Sequence, residues 1–340
     1  MARRKYSSKK RMSKIEPAVQ TITLDMSNPY TPVAGLHKYY VDLSQVASLV
    51  NRRFYRQGIN WAVAGIKVIA TAPFSMNVAK LPNTWVMSNA WEKGFRAWQR
   101  MNDMALEESP SVKPRFLDFK VYANSFHHVN GYVGNQLPIS VENDKALPGE
   151  WEPSSIKIPY TDNSPGNIAD RELIAVGGNY TGVGASGKNA VSLIEGYANS
   201  RGLPNVADPN TPDDAADADG ISPENWMSAL FNEGTNQDDR VLGDMITENN
   251  IAPYPFENDG VNTDTMYPGG ANQMTGLQIH DIASITPTTI GGITRLKGGN
   301  FPCGLMEFNI TAAEAPSMLV QIDLMPGNHR GYLCEPMTEM

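Results

Sequence analysis

Cysteine is scarce: only Cys303 and Cys334 occur in 340 residues. Two thiols so placed form neither a metal-type cluster nor a disulfide framework, so reduced, buried cysteines are expected. Long hydrophobic runs are missing as well. The most apolar one, Trp61 to Phe74, is interrupted by Lys67 and is too short to span a bilayer. No apolar segment follows the basic N-terminus, so no secretory signal is read and no membrane partner is expected. Histidine is limited to five residues. His280 next to Asp281, and His329, stand isolated, and no Ser/His/Asp or Cys/His arrangement assembles from spacing. The expectation is a non-enzymatic chain with no metal and no cofactor.

One absence is local. The first fourteen residues, MARRKYSSKKRMSK, contain no acid but hold Arg3, Arg4, Lys5, Lys9, Lys10, Arg11 and Lys14. The whole chain is −8, so residues 15–340 carry −15. Beyond Met1, only Tyr6 and Met12 are large and apolar in this arm, so a disordered segment over residues 1–15 is expected. A short flexible cation on an acidic body suits capture of a polyanion, nucleic acid first. A solubilising tail or an import signal accounts for the same charges. The acidic body leaves nucleic-acid contact mainly to those seven side chains.

Gly 29 and Pro 24 suit many turns between short strands. Strand patterns are read at Ala18 to Met26, His37 to Leu43 and Trp61 to Ala72, the last apolar enough to be central. A helix is read over Ser44 to Arg56, capped by Ser44 and ended by Gly58. Arg52, Arg53 and Arg56 would lie in its last turns, where cations suit the dipole. Contact with nucleic acid is the other reading of these three. Pro73 and Pro82 bracket an expected loop. Ser88 to Glu108 is the clearest helix, capped by Ser88 or Asn89, with Trp91, Phe95, Trp98, Met101 and Ala105 on one stripe. That stripe is read as core, with a base-stacking platform as the functional alternative.

Phe116 to Tyr122, Ser155 to Tyr160 and Glu172 to Val176 read as strands. His127 and His128, taken as extended, would face opposite sides and serve as ordinary polar residues. Residues 199–275 turn rich in Asp, Asn, Pro and Gly and read as a long surface insertion. Short helices are expected there at Pro223 to Asn232 and Asp238 to Thr247. Its Asp208 to Gly220 segment, which holds the Asp213–Asp219 loop, fails the register of a calcium loop, because counting from Gly220 puts Ala215 at the first ligand position and Trp226 at the closing one. A solvated acidic loop is the expectation, with a looser calcium site left open. Strands return at Leu277 to Ile285, Ile290 to Leu296, Leu305 to Thr311 and Met318 to Met325.

Gly182 to Asn189 (GVGASGKN) matches a phosphate-binding loop up to its last position, where Asn189 replaces the hydroxyl that would hold Mg²⁺. Lys188 would reach phosphates, and Ala190 to Tyr197 would be the helix behind it. Alternating βα units, which that fold needs, are absent elsewhere, so a flexible Gly-rich loop is preferred.

These patterns predict an all-β protein: an antiparallel two-sheet jelly-roll sandwich with helices and long loops inserted between strands. A single domain is expected over residues 16–340. The arm ARRKYSSKKR, the segment WVMSNAWEKGFRAWQRMNDMALEESPSVKPRFLDFKVY (residues 85–122) and LMPGNHRGYLCEP (residues 324–336) resemble the capsid protein of small circular single-stranded DNA viruses, the circovirus-like CRESS group. The resemblance implies self-assembly into an icosahedral shell, arms inward on a single-stranded DNA genome. It also implies residence in the virion, and in the host nucleus or cytoplasm during assembly. Two other functions compete: a non-capsid nucleic-acid-binding accessory protein, and a nucleotide-hydrolysing enzyme using Lys188.

Overall fold

The computed structural model describes residues 17–27, 29–107, 111, 118–139, 145–149, 151–159, 168–201, 227, 276–286 and 292–340. The protein is mostly β, built from antiparallel curled sheets that face one another as a sandwich. The chain opens with β1 (Thr21–Asp25), then the hairpin of β2 (Tyr30–Val33) and β3 (Leu36–Asp42). Gly35, at φ +83 in that turn, takes a conformation a β-carbon would strain. Helix α1 (Leu43–Asn51) leads to β4 (Ile59–Ala70) and β5 (Phe74–Lys80).

A long excursion then leaves the sandwich. It holds α2 (Trp85–Ala105), α3 (Ser125–Asn130), β6 (Leu137–Pro138), β7 (Ser155–Pro159), β8 (Ile168–Ile174), β9 (Asn189–Ser192) and α4 (Leu193–Arg201). The chain returns through β10 (Gln278–Ile285), β11 (Ile293–Phe301), β12 (Leu305–Thr311) and β13 (Met318–Leu324). It ends in the short pair β14 (Pro326–Gly327) and β15 (Gly331–Tyr332), followed by β16 (Cys334–Pro336).

The first sheet runs β11-β4-β13-β1-β6, with β16 also on β4; the second runs β10-β5-β12-β3-β2. In chain order the long strands visit them as first (β1), second (β3), first (β4), second (β5, β10), first (β11), second (β12), first (β13). Apart from the β2–β3 hairpin, neighbours in each sheet are therefore distant in sequence, and every strand pairing in these two sheets is antiparallel.

Alternation places the core. Ile22 and Leu24 of β1, Val63, Ile66 and Val68 of β4, and Val320 and Ile322 of β13 face Tyr39 and Val41 of β3, Met76 and Val78 of β5, and Phe308 and Ile310 of β12. Each large apolar side chain buried there contributes about 1.5–3 kcal/mol. The strand over residues 74–80 replaces the loop expected between Pro73 and Pro82. Phe74, Met76 and Val78 alternate inward, and the two prolines fall just outside the ladder.

The excursion makes a second core. Val86, Met87, Ala90 and Trp91 of α2 pack with Phe119, with Ile156, Leu173 and Val191 of the third sheet (β7-β8-β9), and with Leu193 and Tyr197 of α4. Helix α2 is capped by Thr84, whose hydroxyl accepts the Met87 N–H, and it ends at Ala105. Ser88 does not cap; its hydroxyl donates to the Met337 carbonyl at 2.6 Å, tying the helix to the C-terminal segment. The stripe of Trp91, Phe95, Trp98 and Met101 packs against this core, as its period implies.

Residues 118–122, expected as part of a strand, join no ladder beyond one bridge of Tyr122 to Ile174. The Gln57 side chain substitutes for a neighbouring strand: it accepts the Val121 N–H at 2.7 Å and donates to the Val121 carbonyl at 3.0 Å. Among the described residues no helix is long and apolar enough to cross a membrane.

Candidate nucleic-acid interface

Helix α1 begins where the Asp42 carboxylate accepts the backbone N–H of Ser44 at 2.8 Å, so Asp42, not Ser44, is its cap. It ends at Asn51, because Arg52 turns into the left-handed region at φ 52. Its last turn holds no basic residue. Arg52, Arg53 and Arg56 therefore follow the helix, and the helix dipole does not account for them.

Arg53 ties this group to the first described residues of the chain. The Arg53 guanidinium donates to the Pro17 carbonyl at 2.9 Å, and Pro17 is the first described residue after the arm. The Val19 N–H donates to Asn51 at 3.0 Å, and the Tyr332 hydroxyl donates to the Val19 carbonyl at 2.6 Å. A fourth arginine comes from the far end of the chain. Exposed Arg330 donates to the Phe54 carbonyl, while the Tyr55 hydroxyl donates back to the Arg330 carbonyl at 2.9 Å. Arg52 and Arg56 are also exposed. An acid lies within reach of this group: burial raises the Asp118 carboxyl, while Lys120 at 2.7 Å and the Arg56 charge pull it back.

The seven arm residues Arg3, Arg4, Lys5, Lys9, Lys10, Arg11 and Lys14 lie outside the described residues. So do the Asp213–Asp219 loop and both helices expected within residues 223–247, apart from Met227, which is buried in the second core. Among the described residues no group of three or more His, Cys, Asp or Glu is arranged to hold a metal. Cys303 is buried, Cys334 half-buried, and both are free thiols.

The Gly182–Asn189 loop does not form a phosphate cradle backed by a helix. It runs straight into β9, which pairs parallel with β8, and α4 starts only at Leu193. Lys188 reaches Asp170 at 2.9 Å instead of an open site. That bond raises the Lys188 ammonium, while Lys157 and Lys188 together hold the Asp170 carboxyl below its ordinary value despite partial burial.

His127 and His128 are helical and fully buried, not a pair of strand residues. His128 Nε2 lies 2.9 Å from Glu172. His127 stacks on Tyr40, with ring centroids 4.4 Å apart. The Ala123 N–H donates to His127 Nδ1 at 3.0 Å, which leaves Nε2 as the protonated nitrogen, 2.7 Å from the Asn135 oxygen. Burial lowers the His127 pKa to about 4, so this ring is neutral at neutral pH.

Sequence reasoning singled out Arg52, Arg53 and Arg56 but missed Arg330. Its nearness to Phe54 depends on a contact spanning 276 positions, which no local pattern carries. No family model, no curated protein and no solved structure matches the chain.

Proposed function

We propose that the chain is a capsid subunit that self-assembles into an icosahedral shell and contacts the packaged genome through its basic N-terminal arm. The observation that carries this reading is the strand order. Four strands of one sheet, β11-β4-β13-β1, face four of the other, β10-β5-β12-β3. The chain's passage between them supports a double Greek key, the jelly-roll arrangement that viral capsid domains use. Long insertions between strands leave such a sandwich intact, since its pairings do not depend on short hairpins.

The arginines at the arm's root fit the same reading. Seven arm charges in ~60 copies would supply about 420, well short of a genome of on the order of 10³ phosphates. Arg52, Arg53, Arg56 and Arg330 would raise that to about 660 and carry the contact from the arm onto the body. The arm then acts as a tether and first contact, with the body's arginines and counterions completing neutralisation. The genome is single-stranded DNA on this reading, following the resemblance of the arm and of residues 85–122 and 324–336.

Electron microscopy of the purified full chain tests the proposal. Uniform closed shells are expected. A protein that stays monomeric across pH and salt would overturn it. Discrete small complexes with nucleic acid, and no shells, would favour a non-capsid accessory module.

A further inference from the structure

A cleft of about 360 Å³ opens beside the arginine group, within the size range of small-ligand sites. Its walls are of two kinds. Phe54, Trp91, Phe95 and Phe119 supply aromatic surface, and the exposed Arg56 and Arg330 supply charge. Trp91 and Phe95 are stacked with centroids 5.1 Å apart. Phe95 remains partly exposed where Trp91 is buried, as do Trp98 and Met101 further along, so the aromatic stripe of α2 is core at Trp91 and offers Phe95 to this cleft. The Trp91 indole N–H, although buried, has no acceptor among the described residues. Gly58 lets the cleft come this close to the helix, since a β-carbon there would meet the Trp91 ring at 2.2 Å.

His329 also lines the cleft. Burial and the neighbouring Arg330 charge lower its pKa, so it presents a flat neutral ring and not a third cation. The cleft is continuous with the arm's root, because Phe54 lines it, receives the Arg330 hydrogen bond, and directly follows Arg53, which holds Pro17. Aromatic faces beside guanidinium groups are the chemistry that binds single-stranded nucleic acid: bases stack, and phosphates pair with arginine.

We propose that this cleft is a nucleotide-binding subsite for single-stranded nucleic acid, seating a base against Phe54 and Phe95 with the adjoining phosphate on Arg56 and Arg330. The identification of the strand as the packaged genome rests on the capsid reading; the subsite itself does not. The arm delivers the strand to the body, and the cleft adds base stacking there to the salt-sensitive phosphate contacts.

The test uses the purified full chain and a fluorescent short oligothymidylate, compared with an abasic phosphodiester of equal length. Removal of the bases should weaken binding about tenfold, the scale of one or two stacking contacts. Arg56→Gln should weaken oligothymidylate binding several-fold with an unchanged circular dichroism spectrum. Ultraviolet cross-linking should place the oligonucleotide on the peptides containing Phe54 or Phe95. Equal affinity for the abasic strand, or cross-links confined to residues 1–14, would overturn the proposal. Shells that retain nucleic acid while the cleft peptides stay unlinked would overturn the cleft alone and leave the capsid reading standing. Cross-linked cleft peptides in a chain that never forms shells would do the reverse.

Discussion

The sandwich and the excursion that leans on it are held together by different physics. Between the two sheets the contacts are apolar, from Ile22 through Phe308 to Ile322. Where the excursion meets the outer face of β3 and β12, the contacts are polar and buried. Asp42 is fully buried and accepts from the Trp151 indole at 2.6 Å, from Gln57 at 3.2 Å, and from the Ser44 hydroxyl at 2.5 Å. Lys38 donates to Glu307 at 2.8 Å, Asn124 donates to Glu307 at 2.7 Å, and the Tyr40 hydroxyl donates to Asn124 at 3.2 Å. Asn135 links His127 to Gln45, which reaches the Pro148 carbonyl. Burial alone would raise the Glu307 carboxyl, but the Lys38 charge and the polar side chains around it, Asn124 among them, hold it below its ordinary value. Apolar contacts tolerate exchange of similar volumes; a buried polar seam needs every partner present. The sandwich is therefore a general scaffold, whereas the seam fixes the position of the excursion around residues 124–151, and the α2 wall of the cleft is held by the second core and the Ser88–Met337 bond.

Substitutions should separate the two regions. The largest effect is expected at the seam's hub. Asp42→Ala orphans the Trp151, Gln57 and Ser44 donors and removes the α1 cap, for a loss of about 3–5 kcal/mol in chemical denaturation. A loss below about 1 kcal/mol would show that the seam does not hold the excursion.

Acid comes next. The His127 pKa is about 4 in the folded protein and about 6.5 unfolded, so between those values the unfolded chain binds more protons. The stability in question is complete above about pH 6.5 and is lost as the pH falls toward 4, by roughly 3 kcal/mol at most. Denaturation midpoints across that window should fall in the wild type and fall less in His127→Gln. Parallel curves would remove His127 from the account.

A change inside the sandwich should be smaller. Ile322→Val removes one methylene from a packed core and should cost about 1 kcal/mol, less than the hub substitution, although both sites are fully buried. The reverse order would erase the contrast. The smallest effect is expected at Lys188, whose pairing with Asp170 is partly exposed on both sides. Lys188→Ala should change stability by less than about 1 kcal/mol. Mg²⁺-dependent nucleotide hydrolysis that this substitution abolishes would reinstate the phosphate-loop reading.

The same contrast explains what could be read from the chain. Strands with one buried face declare themselves by period: β12 spans Leu305–Thr311, as its alternation predicts, and β13 misses the expected end by one residue. The period was equally present in Phe74, Met76 and Val78, but the flanking prolines outweighed it. The seam has no such signature. Glu307 and Tyr40 alternate outward as a solvent-facing pair would, and only the excursion above them makes that face interior. His127 and His128 look like two polar residues until Asn124 caps a helix beneath them. The cleft was half legible: the aromatic stripe and Arg56 were visible, whereas Arg330 arrives through the tertiary fold alone.

The comparison of shells made with and without residues 2–14 tests the central claim most directly. On the proposed reading the sandwich carries assembly and the arm carries retention. Deleting the arm should therefore leave a folded body and closed shells, with nucleic-acid content, read from ultraviolet absorbance ratios, sharply reduced. The small residue left should be released at lower salt than from the full chain, because fewer phosphates are neutralised. Equal nucleic-acid content in the two preparations, or a full chain that forms no shells at all, would contradict the account.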